Sequence, residues 1–381
     1  MTSEREVQKI IASHLDGSIS RRQFIGRLAA AGVALTAIPA IVAACANASP
    51  TAAPSAAAGA SAAAGGGKAF RLFETPKWTG FPAFEGYRAG GELAAKELGD
   101  IFTYGGADHS DPLLQSQTIT NFIAQKPDAI LLASIDLETS APVLKQALAQ
   151  GIKVVTYDAD IQTDARNVFV NQVSYVGAAK LILDTLLLDD PSGGPVAFVA
   201  ATPNTANHMH HIEEAKKLMA TDPKYKVFTS PYETAFANDD DAKSYDVAVN
   251  LMQAHPEMKY IGSSSAASCP AAARAIVATG KAGKVYSGGF ALPSAIKKYL
   301  KDGSHKAFGL WDVNDMGYLT AYVAHYLLSG DLKIESGSLY PAAGAKVTAG
   351  KSGDYVVGDK GELIYGKPLI FTADNVDKYN F

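Results

Sequence analysis

From residue 68 onward the apolar positions follow two alternating rhythms. Short β-branched or aromatic runs alternate with longer stretches in which large apolar side chains return every third or fourth residue. The first rhythm is that of buried parallel strands, the second that of helices with one core-facing side. The pattern predicts strands over 69–73, 101–104, 129–133 and 152–157. Between them lie a helix facing its core with Phe84, Tyr87, Gly91, Ala94 and Leu98, and helices over 114–124 and 141–149. Strands separated by helices of this length imply βαβ units and a parallel sheet.

A second series repeats the rhythm. Strands over 168–170, 196–200, 226–229, 260–262 and 285–287 alternate with helices over 176–188, 211–219, 242–254, 271–278 and 294–300. A further strand at 306–311 leads into a helix over 315–328, and residues 350–381 hold short β-prone pieces and turns. The fold class is therefore α/β, and two alternating series suggest two lobes, each a doubly wound parallel sheet.

The first 67 residues follow neither rhythm. Ser20-Arg21-Arg22-Gln23-Phe24-Ile25 is a twin-arginine pattern, followed by a neutral Ala- and Gly-rich stretch shorter than a membrane span. Val42-Ala43-Ala44-Cys45 resembles the lipobox of bacterial lipoproteins, which implies Cys45 as the lipidated first residue of the mature chain. A free cytosolic cysteine on an Ala-rich helix is the alternative. Residues 1–45 thus read as an export signal that leaves an envelope lipoprotein, periplasmic or on the outer face of the cytoplasmic membrane. Residues 46–67 are almost wholly Ala, Ser, Gly, Thr and Pro, with nothing to bury, and read as a tether.

The remaining length and a hydrophobic content of 48% suffice for two cores. Two cysteines exclude a disulfide framework and a multi-cysteine zinc site. Removing the leader's five basic and three acidic residues leaves 29 basic against 35 acidic side chains, which argues against nucleic acid as a partner.

Several chemistries are missing. There is no Gly-x-Ser-x-Gly elbow, no Gly-x-x-x-x-Gly-Lys phosphate loop and no His-Glu-x-x-His helix, and Gly288-Gly289 lacks a dinucleotide fingerprint. No cofactor is implied. In open α/β sheets, ligands bind beyond the carboxyl ends of the strands. At those places the chain offers Lys77 and Trp78 with Phe81 and Phe84 nearby, then Asp158 and Asp160, Asn207 and His208, Ser264, Ser265 and Ala266, and Trp311 with Asp312. Aromatic faces beside carboxylate, amide and hydroxyl groups suit a polyhydroxylated ligand. Each residue also has a plainer reading: Asp158 as a turn cap, Asp160 facing water, Trp78 and Trp311 in the core, Ser263–Ser265 as an ordinary loop. Among the rest, the His208, His210 and His211 cluster reads as a solvated helix start before a metal site. Asp239-Asp240-Asp241 reads as the head of a helix, and Cys269 as a small apolar packer.

These features together resemble the sugar-binding proteins of bacterial ABC importers, of the two-lobed type I periplasmic-binding kind. The branch with autoinducer-2 receptors and rhamnose-binding proteins is the nearest likeness. The resemblance is carried by Thr75-Pro76-Lys77, Thr156-Tyr157-Asp158, Val170-Asn171-Gln172, Phe308-Gly309-Leu310-Trp311-Asp312-Val313 and Asp374-Asn375-Val376-Asp377-Lys378-Tyr379. It implies that Lys77, Asp158 and Ala266 stand where autoinducer-2 receptors hold their ligand. The receptors' Asp-Gln pair falls on Asn207-His208 here and their Pro on Ser264, departures that favour a monosaccharide such as a deoxyhexose. Trp311 falls at a ligand-contacting hinge position. The resemblance further implies a monomer with three lobe crossings, near Asn171-Gln172, near Trp311-Asp312 and after Leu332. The N-terminal lobe would then be 68–171 with 312–332, and the C-terminal lobe 172–311 with 333–381. A membrane permease is the implied partner, and no bond is made or broken. An autoinducer-2 receptor of the same fold, an exported carbohydrate enzyme using Asp158 and Asp160 as its acid pair, and a regulatory sugar sensor are the alternatives.

Overall fold

The computed structural model describes residues 68–229, 232–379 and 381. The twin-arginine segment, Cys45 and the tether lie outside the described residues. The first alternating series builds strands β1 (Arg71–Thr75), β2 (Ile101–Tyr104), β3 (Ala129–Leu132) and β4 (Lys153–Tyr157), and the strand expected to open the second series, β5 (Val168–Asn171), joins them. They lie in the order β2-β1-β3-β4-β5, every pairing parallel. β3 and β5 are buried at every position, the outcome for strands covered on both faces.

The second series builds β6 (Gly194–Ala200), β7 (Phe228–Thr229), β8 (Ala235–Phe236), β9 (Tyr260–Ser263) and β10 (Tyr286–Gly289). Their order is β7-β6-β9-β10, again parallel, with the two-residue β8 beside the end of β6. The α/β class and the two parallel sheets expected from the sequence are both present. β8 went unread because two residues carry no period.

The last strands are β11 (Phe308–Leu310), β12 (Lys346–Ala349), β13 (Gly353–Val356), β14 (Glu362–Ile364) and β15 (Leu369–Phe371). Here the expected division of the chain needs correction. β14 pairs in parallel with β5 at the edge of the first sheet, so residues 333–364 do not travel with the second sheet. Only β15, antiparallel to β11, returns to that side. The third crossing therefore falls between β14 and β15, not after Leu332. The cause is local bonding to the first sheet. The Arg166 guanidinium donates to the Lys360 carbonyl, the Asn167 amide to the Leu339 carbonyl at 2.8 Å, and the Asn171 amide to Glu362 at 2.8 Å.

The helices are α1 (Pro82–Leu98), α2 (Pro112–Ala124), α3 (Ala141–Ala149), α4 (Tyr175–Asp189), α5 (Ala206–Thr221), α6 (Asp241–Ala254), α7 (Ser268–Ala278), α8 (Pro293–Lys301) and α9 (Val313–Ser329). Proline opens α1 and α2, and Asp111 caps α2 through the Leu113 and Leu114 amides. α9 packs along α1 and against β3 and β4. That approach is close because a Cβ at Gly90 would overlap the Asn314 carbonyl oxygen and one at Gly317 the Tyr87 carbonyl oxygen. It holds the aromatic start of α1 beside the segment that carries Trp311.

Candidate functional site

The carboxyl ends of the two sheets converge on one hollow. It encloses about 510 Å³, counting the part open to solvent. Lys77 reaches it from beyond β1, Asp158 from β4, Gln172 from β5, and Ser264, Ser265 and Ala266 from β9. Asn207, His208 and His211 come from the first turns of α5, Phe290 from beyond β10, and Trp311 from beyond β11.

Asp158 is its electrostatic centre. Its φ of 61° is left-handed, a conformation Asp tolerates better than most residues, and it turns the carboxylate out of the strand direction. Oδ2 lies 3.1 Å from the Lys77 ammonium, while Oδ1 accepts from the Gln172 amide at 3.0 Å and the Tyr87 hydroxyl at 3.4 Å. The Asn207 amide donates to the Asp158 carbonyl at 3.4 Å, tying the two sheets' ends together. Tyr87 in turn accepts from the Trp311 indole N–H. Burial, then the Asp158 charge, pushes the Tyr87 phenol up, so it stays a neutral donor.

Aromatic rings line the same hollow. Trp78 lies 5.2 Å from both Phe81 and Phe84 by ring centroids, and Phe290 packs edge-on to Trp311 at 5.1 Å. The two histidines are neutral. His208 Nδ1 accepts the Ala201 amide N–H at 3.1 Å, which leaves the proton on Nε2, and burial lowers its pKa to about 3. His211 Nδ1 sits 2.9 Å from the Ser264 hydroxyl, and burial, with the neighbouring histidines and Lys77 opposing a further positive charge, holds this imidazole well below its usual range. Among the described residues, three buried polar atoms on the lining have no hydrogen-bond partner: Gln172 Oε1, Asn207 Oδ1 and His211 Nε2.

Of the residues singled out in the sequence, Lys77, Trp78, Phe84, Asp158, Asn207, His208, Ser264, Ser265, Ala266 and Trp311 line this hollow together. Asp160 and Asp312 do not. Asp160 receives two bonds from Arg166, both 2.8 Å, and the Thr156 hydroxyl at 2.7 Å. Asp312 caps α9 by accepting the Asp315 amide at 3.0 Å. Asn207 and His208 belong to a helix that begins five residues earlier than the apolar period suggested. The histidine cluster divides, since His210 points outward, 3.6 Å from Glu213. No group of three or more His, Cys, Asp or Glu among the described residues is placed to hold a metal.

The sequence reading missed Tyr87, Gln172, His211, Asp239 and Phe290 as lining residues. Tyr87 and His211 sit on helical faces that also serve the core. Phe290 ends β10 in the way Ser264 ends β9, so the same strand-end rule applied there would have found it.

Residues 75–332 match the periplasmic binding protein domain family. A structure of a sugar ABC transporter from Actinomyces odontolyticus is 32% identical, with 81% of this chain and 97% of that one aligned at a TM-score of 0.67. An ABC transporter solute-binding protein from Clostridium phytofermentas with bound L-rhamnose is 26% identical, covering 82% and 98% at a TM-score of 0.75. The D-ribose/D-allose-binding protein of Pseudomonas aeruginosa is 27% identical over 223 residues, 56% of this chain and 68% of its own. With a match across most of its described residues, the chain belongs to the periplasmic binding protein family and has the fold of sugar ABC transporter solute-binding proteins.

Proposed function

We propose that this protein is the substrate-binding lipoprotein of an ABC importer, held to the membrane through Cys45. It captures a monosaccharide-like ligand, a deoxyhexose such as rhamnose by preference, and delivers it unchanged to a permease as a monomer. Family membership implies export, and no helix among the described residues is long and apolar enough to cross a membrane.

One observation carries the reading: among the described residues, the hollow is lined by buried polar atoms without partners and by aromatic rings packed edge-on and tilted against one another. Buried polar atoms without partners are costly, and ligand hydroxyls would satisfy them. The aromatic wall suits the C–H faces of a sugar ring and the methyl group of a deoxyhexose. The same geometry speaks against the enzyme reading, because Asp160 is committed to Arg166 and does not face Asp158 across the hollow. Ligand touching residues from both sheets favours a closed arrangement by differential contact.

The test is isothermal calorimetry with L-rhamnose, D-ribose, D-allose, D-arabinose and autoinducer-2, alongside mass spectrometry of any small molecule that co-purifies. Binding of a monosaccharide, recovered intact after long incubation, is the expected result. Heat from autoinducer-2 alone would transfer the assignment to a signal receptor, and a chemically altered sugar would make the protein an enzyme.

A further inference from the structure

We propose that Asp239 is a specificity-determining residue: its carboxylate accepts a hydrogen bond from one ligand hydroxyl, at the end of the hollow that adjoins a second, more polar hollow. The inference rests on the monosaccharide reading above.

The three consecutive acids at 239–241 have separate fates. Asp240 caps α6 by accepting the Lys243 amide at 2.7 Å, and Asp241 pairs with Arg274 through bonds of 3.0 and 2.8 Å. Asp239 turns the other way. Asn238 and Asp239 are both left-handed, with φ of 56° and 55°. The corner they form is pinned to the second sheet, since the Ala237 amide donates to the Ala200 carbonyl at 3.0 Å and the Asn238 amide to the Ala201 carbonyl at 2.8 Å. Two successive residues in that region cost conformational energy, which fixed bonds of this kind can hold in place.

The corner delivers Asp239 to a boundary. Together with Lys77 it lines both this hollow and a second, more polar one, which Ser110, Asp136, Thr202 and Asn204 also border. Lys77 already serves Asp158 at 3.1 Å. Among the described residues Asp239 has no ion pair within 4 Å, and the Ser265 hydroxyl is its one side-chain donor. A carboxylate offers about four acceptor sites, so Asp239 keeps acceptor capacity where ligand would lie. Burial raises its pKa, with the Lys77 charge and the Ser265 bond opposing. That the hollow takes a ligand at all rests independently on Gln172, Asn207 and His211, each more than nine-tenths buried, each with an unpartnered polar atom.

The experiment is calorimetry of wild type, Asp239→Asn and Asp239→Ala against L-rhamnose, D-ribose, D-allose and their single-deoxy and single-amino derivatives. Asn tolerates the left-handed backbone and can still accept from Ser265, so it guards against misfolding, with thermal melts of all three proteins as the control. For one ring position, wild type should lose about 10-fold or more in affinity on removing the hydroxyl, while Asp239→Ala should bind the deoxy and parent sugars alike. An amino group at that same position should tighten binding to wild type and leave Asp239→Asn unimproved. Losses of equal size for every sugar, or none, overturn the assignment while leaving the monosaccharide reading intact. A wild type that binds none of the sugars defeats both.

Discussion

Asp158 and Asp160 stand two residues apart in the same turn, yet the structure gives them different work, and paired substitutions should separate them. Asp158→Ala removes the partner of Lys77, whose side chain is 5% exposed, and the acceptor for Gln172 and Tyr87. Stranding a buried ammonium costs about 3–5 kcal/mol, and alanine in a left-handed conformation adds about 1 kcal/mol. Asp158→Asn, which accepts that backbone, is therefore the companion variant. If the carboxylate also holds ligand, a hydrogen bond to a charged group is worth about 1.5–3 kcal/mol, or roughly 10- to 150-fold in affinity. Asp160→Ala instead frees Arg166, 3% exposed, from a two-pronged pair and loosens its bond to the Lys360 carbonyl. That should cost about 3 kcal/mol of stability, with the dissociation constant within about threefold of wild type. Calorimetry with the preferred sugar and chemical denaturation of the same samples read both quantities. Equal affinity losses in two normally stable variants would show that the pocket has been misplaced.

Three further outcomes follow from buried groups away from the ligand wall. Burial raises the Glu74 pKa to about 8 although Tyr157 donates to it, so the folded state keeps a proton that the unfolded chain releases. Stability from this group is full below about pH 4.5 and lost as pH rises toward 8; Glu74→Gln should flatten that decline in denaturation curves at pH 5 and pH 8. His305, lowered to about 4 by burial, has the opposite sign: stability is full above about pH 6.5 and falls as the unfolded chain takes up a proton on acidification, so His305→Gln should lessen the loss between pH 7 and pH 5. Gly90→Ala should destabilise by several kcal/mol, measured by urea denaturation, although a helix interior alone favours alanine by about 0.5–1 kcal/mol, because the new methyl group meets the Asn314 carbonyl oxygen.

The two sheets were legible because burial on both faces forces long apolar runs, and a run such as 129–132 has no other use. Most of the hollow was legible for a related reason, since parallel sheets bring strand ends together whatever their side chains. What sequence could not show is which side chains at those ends are already spoken for. Asp158 and Asp160 look equivalent until Arg166, six residues beyond Asp160, closes on one of them. Asp239 looks like its two neighbours until the backbone turns left-handed at Asn238.

The pairing of the last strands was hidden most completely, and it bears most on how the cleft would close. β14 has one fully buried residue, Leu363, too few for any period; its place beside β5 is fixed by side chains far away in sequence. From there the chain runs beside the first crossing, with the Tyr365 amide on the Asn171 carbonyl at 2.7 Å and the Gly366 amide on the Gln172 carbonyl at 2.8 Å. Gln172 thus belongs to two systems at once: its backbone joins the crossing strands, and its side chain holds Asp158 at 3.0 Å. Under the proposed closure, a ligand that engages Gln172 Oε1 would act on the segment where the chain leaves the first sheet, whose geometry is held by the backbone bonds from Tyr365 and Gly366.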